Sequence, residues 1–343
     1  MSAEPAPNSG ETHPERQVLS RRFIASAEDA GRRLDLYLAS RLPELSRTRI
    51  QELIDEGRVR VSERLARPAQ RVVAGDVIDV EVIPRPALRA APEEIPLDVL
   101  YEDEDLVVVN KPSGMVVHAG AGAARGTLVN ALLHHSGTLS TVGGNLRPGI
   151  VHRLDRGTSG AMVVARNDLA HRVLAEQFRS RAVSKTYVAL LHGKMPRDAG
   201  SIARPITRDP QRRTRMTARL GHGRAAQTDW RLLLRLGNFT LVEAQPRTGR
   251  THQIRAHFAA VGHPLVGDTL YGAPRQVHIG KASPTLGRVF LHAARLSFAH
   301  PRTGATIEVR APLDPGLHGY LKELAPFADL EARKVDAALR RYL

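Results

Sequence analysis

One short segment of the chain brings a carboxylate and two guanidinium groups together. Residues 152–160 read HRLDRGTSG and place Asp155 between Arg153 and Arg156. An ionised carboxylate can act as a nucleophile or as a base, and neighbouring arginines favour its ionised form. Asp155 is therefore a candidate catalytic anion. The alternative interpretation is that Asp155 stabilises its own turn against Gly157 while the arginines stay solvated.

Two apolar runs flank this segment. Ile150 and Val151 read as the end of one strand, and residues 161–165 form a run short enough for a second, buried strand. We therefore predict that Asp155 lies on a loop between two strands, a position typical of catalytic groups held over a rigid sheet.

Strands and helices alternate through the rest of the chain. Strands are predicted at 106–109, 161–165, 186–191 and 239–244. Helices are predicted at 128–135, at 167–179 with Asn167 as N-cap, and at 251–261 with Gly262 after the last turn. Many strands and few helices predict an α+β fold, in which helices flank a mixed or antiparallel sheet.

A compact basic module precedes this region. Leucines at helical spacing predict one helix that ends near Pro43, and Ser46 is the predicted N-cap of a second helix that ends at Gly57. Short strands are predicted at 59–61 and 77–82.

This module resembles an S4 RNA-binding domain over residues 32–82. The resemblance depends on the sequences GRRLD before the first helix and SRTRI at the start of the second helix, together with Gly57. Because S4 domains contact structured RNA, it implies RNA contacts for Arg47 and Arg49. The family often carries a Val-Asn-Gly turn where this chain has the residues 61–63, VSE. The alternative is a module for dimerisation or packing.

Arginine carries most of the positive charge. The 343 residues have a formal net charge of +15, with 50 Lys and Arg against 35 Asp and Glu. Residues 201–260 contain twelve arginines and only three acidic residues. Such clustering indicates a partner with a phosphate backbone. The loop from Arg204 to Arg224 is predicted to hold that backbone without discriminating between base sequences.

Other classes of site and location are disfavoured. The chain has no cysteine, which excludes disulfides and thiolate metal sites. Its histidines have no recognisable metal-ligand spacing, and no apolar run is long enough to span a bilayer. The polar residues at the start lack a signal-peptide pattern. We therefore expect a cytoplasmic protein without a metal site or membrane association.

Five segments together resemble the RluA family of pseudouridine synthases across residues 97–310. They are the segment 152–160, NKPSGMVVH at 110–118, KTY at 185–187, TGRTHQIRAH at 248–257, and GHPLVGD at 262–268 followed by Tyr271 and Gly272. Residues 101–105, 117–122, 130–134 and 204–216 are similar to the subgroup of large-subunit rRNA pseudouridine synthase D. Ser159 departs from it, where threonine is expected.

The resemblance implies isomerisation of uridines in 23S rRNA, at the helix 69 hairpin, without a cofactor or metal. It implies as partner the 23S rRNA or the large ribosomal subunit, and we expect a monomer. Two alternatives stay open: a synthase of this type for another rRNA or tRNA site, and a non-catalytic RNA-binding factor in ribosome assembly.

The resemblance also implies roles for individual residues. Asp155 is the essential carboxylate, which attacks covalently or removes a ribose proton, and Arg255 is its partner. Tyr187 stacks on the extruded uracil and is a candidate to remove the C5 proton. Arg153 fills the space that the flipped base leaves. His252 and His257 are expected to pack or to contact RNA, because their spacing does not suit a metal pair.

The remaining predicted RNA contacts are mostly basic. Lys111 is expected to support the site through phosphate or backbone contacts, and Arg250 to bind phosphate or to pack a helix. The full predicted set comprises Arg153, Arg156, Lys111, His152, Arg250, Arg47, Arg49, Arg208, Arg212, Arg213 and Arg215.

The chain is thus predicted to have five parts. They are a disordered tail (1–17), an S4-like RNA-binding domain (18–84), a proline-rich linker (85–96), a pseudouridine synthase catalytic domain (97–330), and a C-terminal helix or tail (331–343).

Overall fold

The computed structural model describes residues 19–45, 47–82, 90–119, 125–276 and 284–343. The chain forms two compact units, one ending at Leu88 and the other beginning at Arg89. Within the described ranges, no helix combines the length and apolar character needed to cross a membrane. The predicted disordered tail and the predicted Ser46 cap lie outside these ranges, as do linker residues 85–89.

The first unit combines a four-stranded antiparallel sheet with two helices. Its elements are β1 (Leu19–Ile24), α1 (Leu34–Arg41), α2 (Arg47–Asp55), β2 (Val59–Val61), β3 (Arg64–Leu65) and β4 (Val77–Val82). The strands lie in the order β1-β4-β2-β3. Leu34, Leu38 and Leu53 pack with Val59 and Ile78 in one core. The predicted pattern of helices and strands is therefore present, and β1 and β3 are additional strands.

A two-residue turn joins β2 to β3. Val61 pairs with Arg64, and both residues between them are left-handed, with φ of 47° at Ser62 and 69° at Glu63. Hairpin turns of this type favour Asn-Gly because their two central residues have positive φ. The departure from the family's usual turn sequence therefore leaves the hairpin intact.

The second unit contains the larger sheet. The strands of this unit are β5 (Val99–Glu102), β6 (Leu106–Lys111), β7 (Ser159–Ala165), β8 (Ser184–His192), β9 (Ala199–Ala203), β10 (Thr207–Arg208), β11 (Met216–Thr217), β12 (Gln227–Leu236), β13 (Phe239–Pro246), β14 (Leu291–Ala299) and β15 (Thr306–Arg310). Its helices are α3 (Leu128–Ser136), α4 (Asp168–Ser180), α5 (Gln253–Ala260), α6 (Pro315–Leu324) and α7 (Ala332–Leu339).

Nine of these strands form one mixed sheet. Eight follow the order β5-β6-β7-β14-β8-β13-β12-β9, and β15 pairs with β14. The pair β7–β14 is parallel and the other described pairs are antiparallel. Gly160 permits the close approach of β7 to β14, because its φ is +115° and a Cβ there would lie 2.3 Å from the Ala293 carbonyl oxygen.

Alternate residues of β6 face opposite layers. Val107 and Val109 pack with Leu128 of α3, whereas Leu106 packs with Leu174 of α4. A strand buried on both faces needs apolar residues at every position, and this explains its continuous apolar sequence. Helices thus flank the sheet as the α+β prediction required.

The structure corrects some predicted element boundaries. Ile150 forms only an isolated bridge with Val164, so the strand predicted before Asp155 is absent. Asn167 caps α4 as predicted. Helix α5 begins at Gln253, two residues later than predicted, and residues 90–96 of the predicted linker have no helix or strand.

Candidate active site

Asp155 lies in the loop that leads into β7. The preceding residue, Leu154, is 5% exposed and packs in the same cluster as Val107 and Met162, which anchors the loop to the core. The Thr158 N–H donates to the Asp155 carbonyl oxygen at 3.0 Å and closes the turn. The Asp155 side chain keeps 19% of its surface exposed and lines a cavity.

A buried lysine ties this loop to the end of β6. Nζ of Lys111 donates to the carbonyl oxygens of Pro112 at 2.8 Å, Met115 at 3.0 Å and Arg156 at 3.4 Å. Burial, reinforced by the charge of Arg288, lowers the pKa of Lys111 to about 7. Lys111 is fully buried and donates to backbone carbonyl oxygens, which matches the backbone alternative of the expectation and leaves no phosphate contact in this state.

Arg255 of α5 links Asp155 to a second carboxylate. Its Nη1 donates to Oδ2 of Asp155 at 3.0 Å, while Nε and Nη2 donate to the two oxygens of Asp268 at 2.7 and 2.9 Å. Burial acts to lower the pKa of Arg255, but its hydrogen bonds to Asp268 and Asp155 outweigh burial and raise the pKa above its ordinary value. The guanidinium also lies over the Tyr271 ring, 4.9 Å from the centroid. Arg255 is therefore a fixed cation beside Asp155.

His252 approaches the other oxygen of the same carboxylate. Its Nε2 lies 3.8 Å from Oδ1 of Asp155, and its Nδ1 lies 3.0 Å from the hydroxyl of Tyr271. Burial lowers the pKa of His252, although the charge of Asp155 acts in the opposite direction. The imidazole is therefore neutral near pH 7.

Tyr187 supplies an aromatic ring to the cavity wall from β8. Burial raises the pKa of its phenol above the ordinary value, and the negative charge of Asp155 raises it further. Tyr187 is therefore a protonated phenol at neutral pH, which suits stacking better than proton removal.

The cavity has a volume of about 500 Å³. Among the residues that line it, Asp155 is the one acidic group. The cationic lining consists of Lys185 and seven arginines: Arg153, Arg179, Arg181, Arg224, Arg247, Arg250 and Arg255. A cavity with this charge attracts an anionic ligand such as a phosphate backbone.

Comparison with known proteins decides the family. A sequence profile described as RNA pseudouridylate synthase matches residues 105–260, and an S4 domain profile matches residues 32–78. An uncharacterised RNA pseudouridine synthase of Bacillus subtilis is 42% identical over 302 residues, which cover 88% of this chain and 97% of the relative. The chain belongs to the RNA pseudouridine synthase family.

Further relatives agree with this assignment. A protein of Zymomonas mobilis named ribosomal large subunit pseudouridine synthase D is 43% identical over 303 residues. The match covers 87% of this chain and 95% of the relative. The solved structure of human RNA pseudouridylate synthase domain containing 1 has a TM-score of 0.52 and 29% identity, and it covers 68% of the synthase and 89% of the human chain. These relatives confirm the predicted enzyme class, the α+β fold and, with the profile, the S4 domain.

The predicted RNA contacts in the second unit of the synthase differ in exposure. Arg153 is exposed at the cavity and has no hydrogen-bond or ion-pair partner among the described residues. Arg156 is also exposed, and its Nε donates to the Gly114 carbonyl oxygen. Arg250 lines the cavity and donates to the Ala225 carbonyl oxygen at 3.2 Å.

His152, a predicted RNA contact, lines the cavity and also has structural contacts within the protein. Its Nε2 accepts the Val163 N–H at 3.1 Å, and its ring stacks on Phe178 with the centroids 4.3 Å apart. Burial, with a smaller effect of Lys185, lowers the pKa of His152 to about 3. His152 is therefore a neutral residue that holds the loop against β7 and α4.

The arginine-rich loop contains a short hairpin formed by β10 and β11. Arg208, Arg212 and Arg213 are exposed, as expected for phosphate contacts. Arg215 instead donates to Asp209 at 2.6 Å and to the Leu270 carbonyl oxygen at 3.4 Å, so it stabilises the loop.

The two predicted contacts in the S4 domain have intramolecular partners. Arg47 donates to the buried Asp35, and Arg49 pairs with Glu52 and Glu56. These bonds hold part of each guanidinium inside the domain.

Sequence reasoning gave Asp268 no role and assigned His252 only to packing or RNA contact. Asp268 holds Arg255, and His252 lies beside Asp155, although both belong to segments that carried the family resemblance. The sequence signal was present, but the left-handed conformation of His252 and its contacts were not predictable from it. His257 packs as expected, since it is fully buried and bonds Thr228.

Proposed function

We propose that the synthase isomerises uridines of 23S rRNA in the helix 69 hairpin, acting in the cytoplasm on the rRNA or the large subunit. The observation that carries the catalytic proposal is the Asp155–Arg255 pair at 3.0 Å in a cavity with a cationic lining. The proposed substrate is supported by relatives named ribosomal large subunit pseudouridine synthase D and by the S4 domain.

The reaction rearranges bonds within one nucleotide. The N1–C1′ bond of uridine breaks, the base turns, a C5–C1′ bond forms, and the C5 proton leaves while N1 gains a proton. Asp155 attacks C1′ or removes a ribose proton, and both routes need an ionised carboxylate. Arg255 holds one oxygen of that carboxylate, so the other oxygen is available to the ribose.

The uridine must leave its stack to reach Asp155. We assign Arg153 to the space that the base vacates, because its exposed guanidinium has no described partner and can stack as well as donate hydrogen bonds. Tyr187 provides the stacking surface inside the cavity. Its raised pKa disfavours a role as the base that removes the C5 proton.

The test is pseudouridine mapping of 23S rRNA by carbodiimide treatment and primer extension. RNA is compared from cells that lack the synthase and from the same cells complemented with the wild type or with Asp155→Asn. We expect loss of the helix 69 signals, with restoration by the wild type alone. Loss at another rRNA or tRNA position would replace the proposed target. Restoration by Asp155→Asn would overturn the role of Asp155, and an unchanged map of all RNA would favour the assembly factor.

A further inference from the structure

The two carboxylate oxygens of Asp155 have different neighbours. Oδ2 accepts a hydrogen bond from Arg255, whereas Oδ1 has no hydrogen bond among the described residues. Nε2 of His252 lies 3.8 Å from Oδ1. This distance is longer than a hydrogen bond and too short for a water molecule in between. The oxygen that Arg255 leaves open therefore faces an imidazole nitrogen directly.

The backbone of His252 is unusual. It is the N-cap residue of α5, with φ 54° and ψ 24°, and its side chain makes no cap hydrogen bond. Non-glycine residues rarely adopt this left-handed conformation, and those that do cluster at functional sites. The helix does not use the imidazole, and the side chain lines the cavity instead.

The Tyr271 hydroxyl can select which nitrogen of His252 carries the proton. The Tyr271 hydroxyl oxygen accepts the Met216 N–H at 3.0 Å, and the hydroxyl lies 3.0 Å from Nδ1 of His252. Burial raises the pKa of Tyr271 to about 12, so the phenol keeps its proton and can donate it to Nδ1. A neutral imidazole that accepts at Nδ1 carries its proton on Nε2. When Tyr271 donates to Nδ1, the N–H donor of His252 lies on the side of Asp155.

We propose that His252 is a positioning residue for the isomerisation, whose Nε2–H holds the Oδ1 side of the Asp155 carboxylate while the ribose binds. The inference rests on the proposed role of Asp155. Hydrogen bonds that are long in a free enzyme commonly shorten in the complex with substrate. Shortening of this contact brings Nε2–H within bonding distance of Oδ1, which accepts through one lone pair and keeps the other for the ribose. Arg255 and His252 together restrict rotation of the carboxylate.

Two substitutions distinguish a need for an N–H donor at the position of Nε2 from a need for any polar side chain at residue 252. In His252→Asn, asparagine tolerates the left-handed backbone, and its amide can replace Nδ1 toward Tyr271 but does not extend to Asp155. In His252→Gln, the longer side chain places an N–H donor near the position of Nε2. We expect kcat to fall about 30-fold in His252→Asn with KM within about twofold, and to recover to within about fivefold of the wild type in His252→Gln.

Tyr271→Phe tests the other end of this hydrogen-bonded chain. The substitution keeps the aromatic ring beneath Arg255 and removes the hydroxyl that orients His252. We expect kcat to fall about tenfold in Tyr271→Phe, because the imidazole can then adopt either tautomer.

The assay is tritium release from total RNA that carries [5-³H]uridine and comes from cells lacking the synthase. Total RNA contains the target whichever RNA it belongs to, so the result does not depend on the 23S assignment. Melting curves and RNA affinity of each variant establish that it is folded.

Four results would each decide against the role of His252 or that of Asp155. Equal losses in His252→Asn and His252→Gln, or a rise in KM without a change in kcat, would make His252 a packing or RNA-binding residue. Inactive Asp155→Asn beside fully active His252→Asn would overturn the role of His252 alone. Turnover by Asp155→Asn would overturn the proposed role of Asp155, and with it this inference.

Discussion

Asp35 of the S4 domain and Asp155 of the catalytic unit are both held by arginine, yet their surroundings differ. The Asp35 side chain is fully buried and accepts hydrogen bonds from Arg33, Arg47 and Gln51. The Asp155 side chain is partly exposed and accepts one described hydrogen bond, from Arg255. Both oxygens of Asp35 accept hydrogen bonds within the protein. One oxygen of Asp155 accepts no described hydrogen bond, and the side chain lines the cavity.

This difference is the one expected between a structural carboxylate and the proposed reactive one. Burial opposes ionisation of Asp35, but its three partners hold its pKa well below the ordinary value. Such a charge stabilises the fold and has no capacity left for a ligand. Asp155 lies beside a single fixed cation, so its second oxygen can approach a substrate. The number of donors around each carboxylate thus indicates its role better than the presence of arginine.

We expect the largest contrast between Asp155 and Asp35 when each carboxylate is replaced by an amide. We expect Asp155→Asn to lower kcat by at least about 1000-fold, because an amide is neither a nucleophile nor a base. Its effect on unfolding free energy should stay within about 1 kcal/mol, since Arg255 keeps its bonds to Asp268. Tritium release and urea unfolding followed by the single tryptophan, Trp230, measure the two effects.

Asp35→Asn is the matched control. We expect the S4 domain to lose about 2 kcal/mol of unfolding free energy, because one buried amide cannot satisfy three donors. At saturating RNA, kcat should stay within about threefold of the wild type. Hydrogen exchange of the β4 amides reports the stability of this domain. A variant that keeps full protection but loses activity would remove the distinction between the two carboxylates.

Asp268→Asn tests whether Asp155 needs an Arg255 side chain that is held in place. Arg255 would lose its paired bonds to a carboxylate and become free to swing away from Asp155. We expect kcat to fall about 100-fold with RNA affinity nearly unchanged. Single-turnover tritium release and filter binding give these two values. A loss confined to RNA affinity would show that Asp268 acts outside the reaction.

Arg47→Gln gives the smallest expected effect. Asp35 would retain Arg33 and Gln51, so we expect the S4 domain to lose about 1 kcal/mol or less, as for a partly exposed ion pair. The same variant tests the predicted RNA contact of Arg47. A shallower dependence of RNA binding on salt, by about one unit of slope, would support a phosphate contact, and an unchanged slope would leave Arg47 with its structural role alone.

Much of the fold was predictable from local pattern. The continuous apolar runs of β6 and β7, the N-cap of α4 and the leucine spacing of α1 follow from the periods of strands and helices. The strand predicted at Ile150 failed because two apolar residues do not establish pairing, which depends on the neighbouring chain. The missed strand β1 is largely exposed and alternates little, so its pairing with β4 has no local signal.

The sequence by itself determined the family, the candidate carboxylate and the arginine-rich character of the loop from Arg204 to Arg224. The family resemblance also implied Arg255 as the partner of Asp155. Only the tertiary structure shows that Asp268 holds this guanidinium against Asp155. Arg153 and Arg156 are its neighbours along the chain, yet both are exposed, and the guanidinium that contacts it comes from α5. The reason is physical: proximity along a loop does not set the direction of side chains, whereas packing of α5 and the bonds from Asp268 hold Arg255 against the carboxylate.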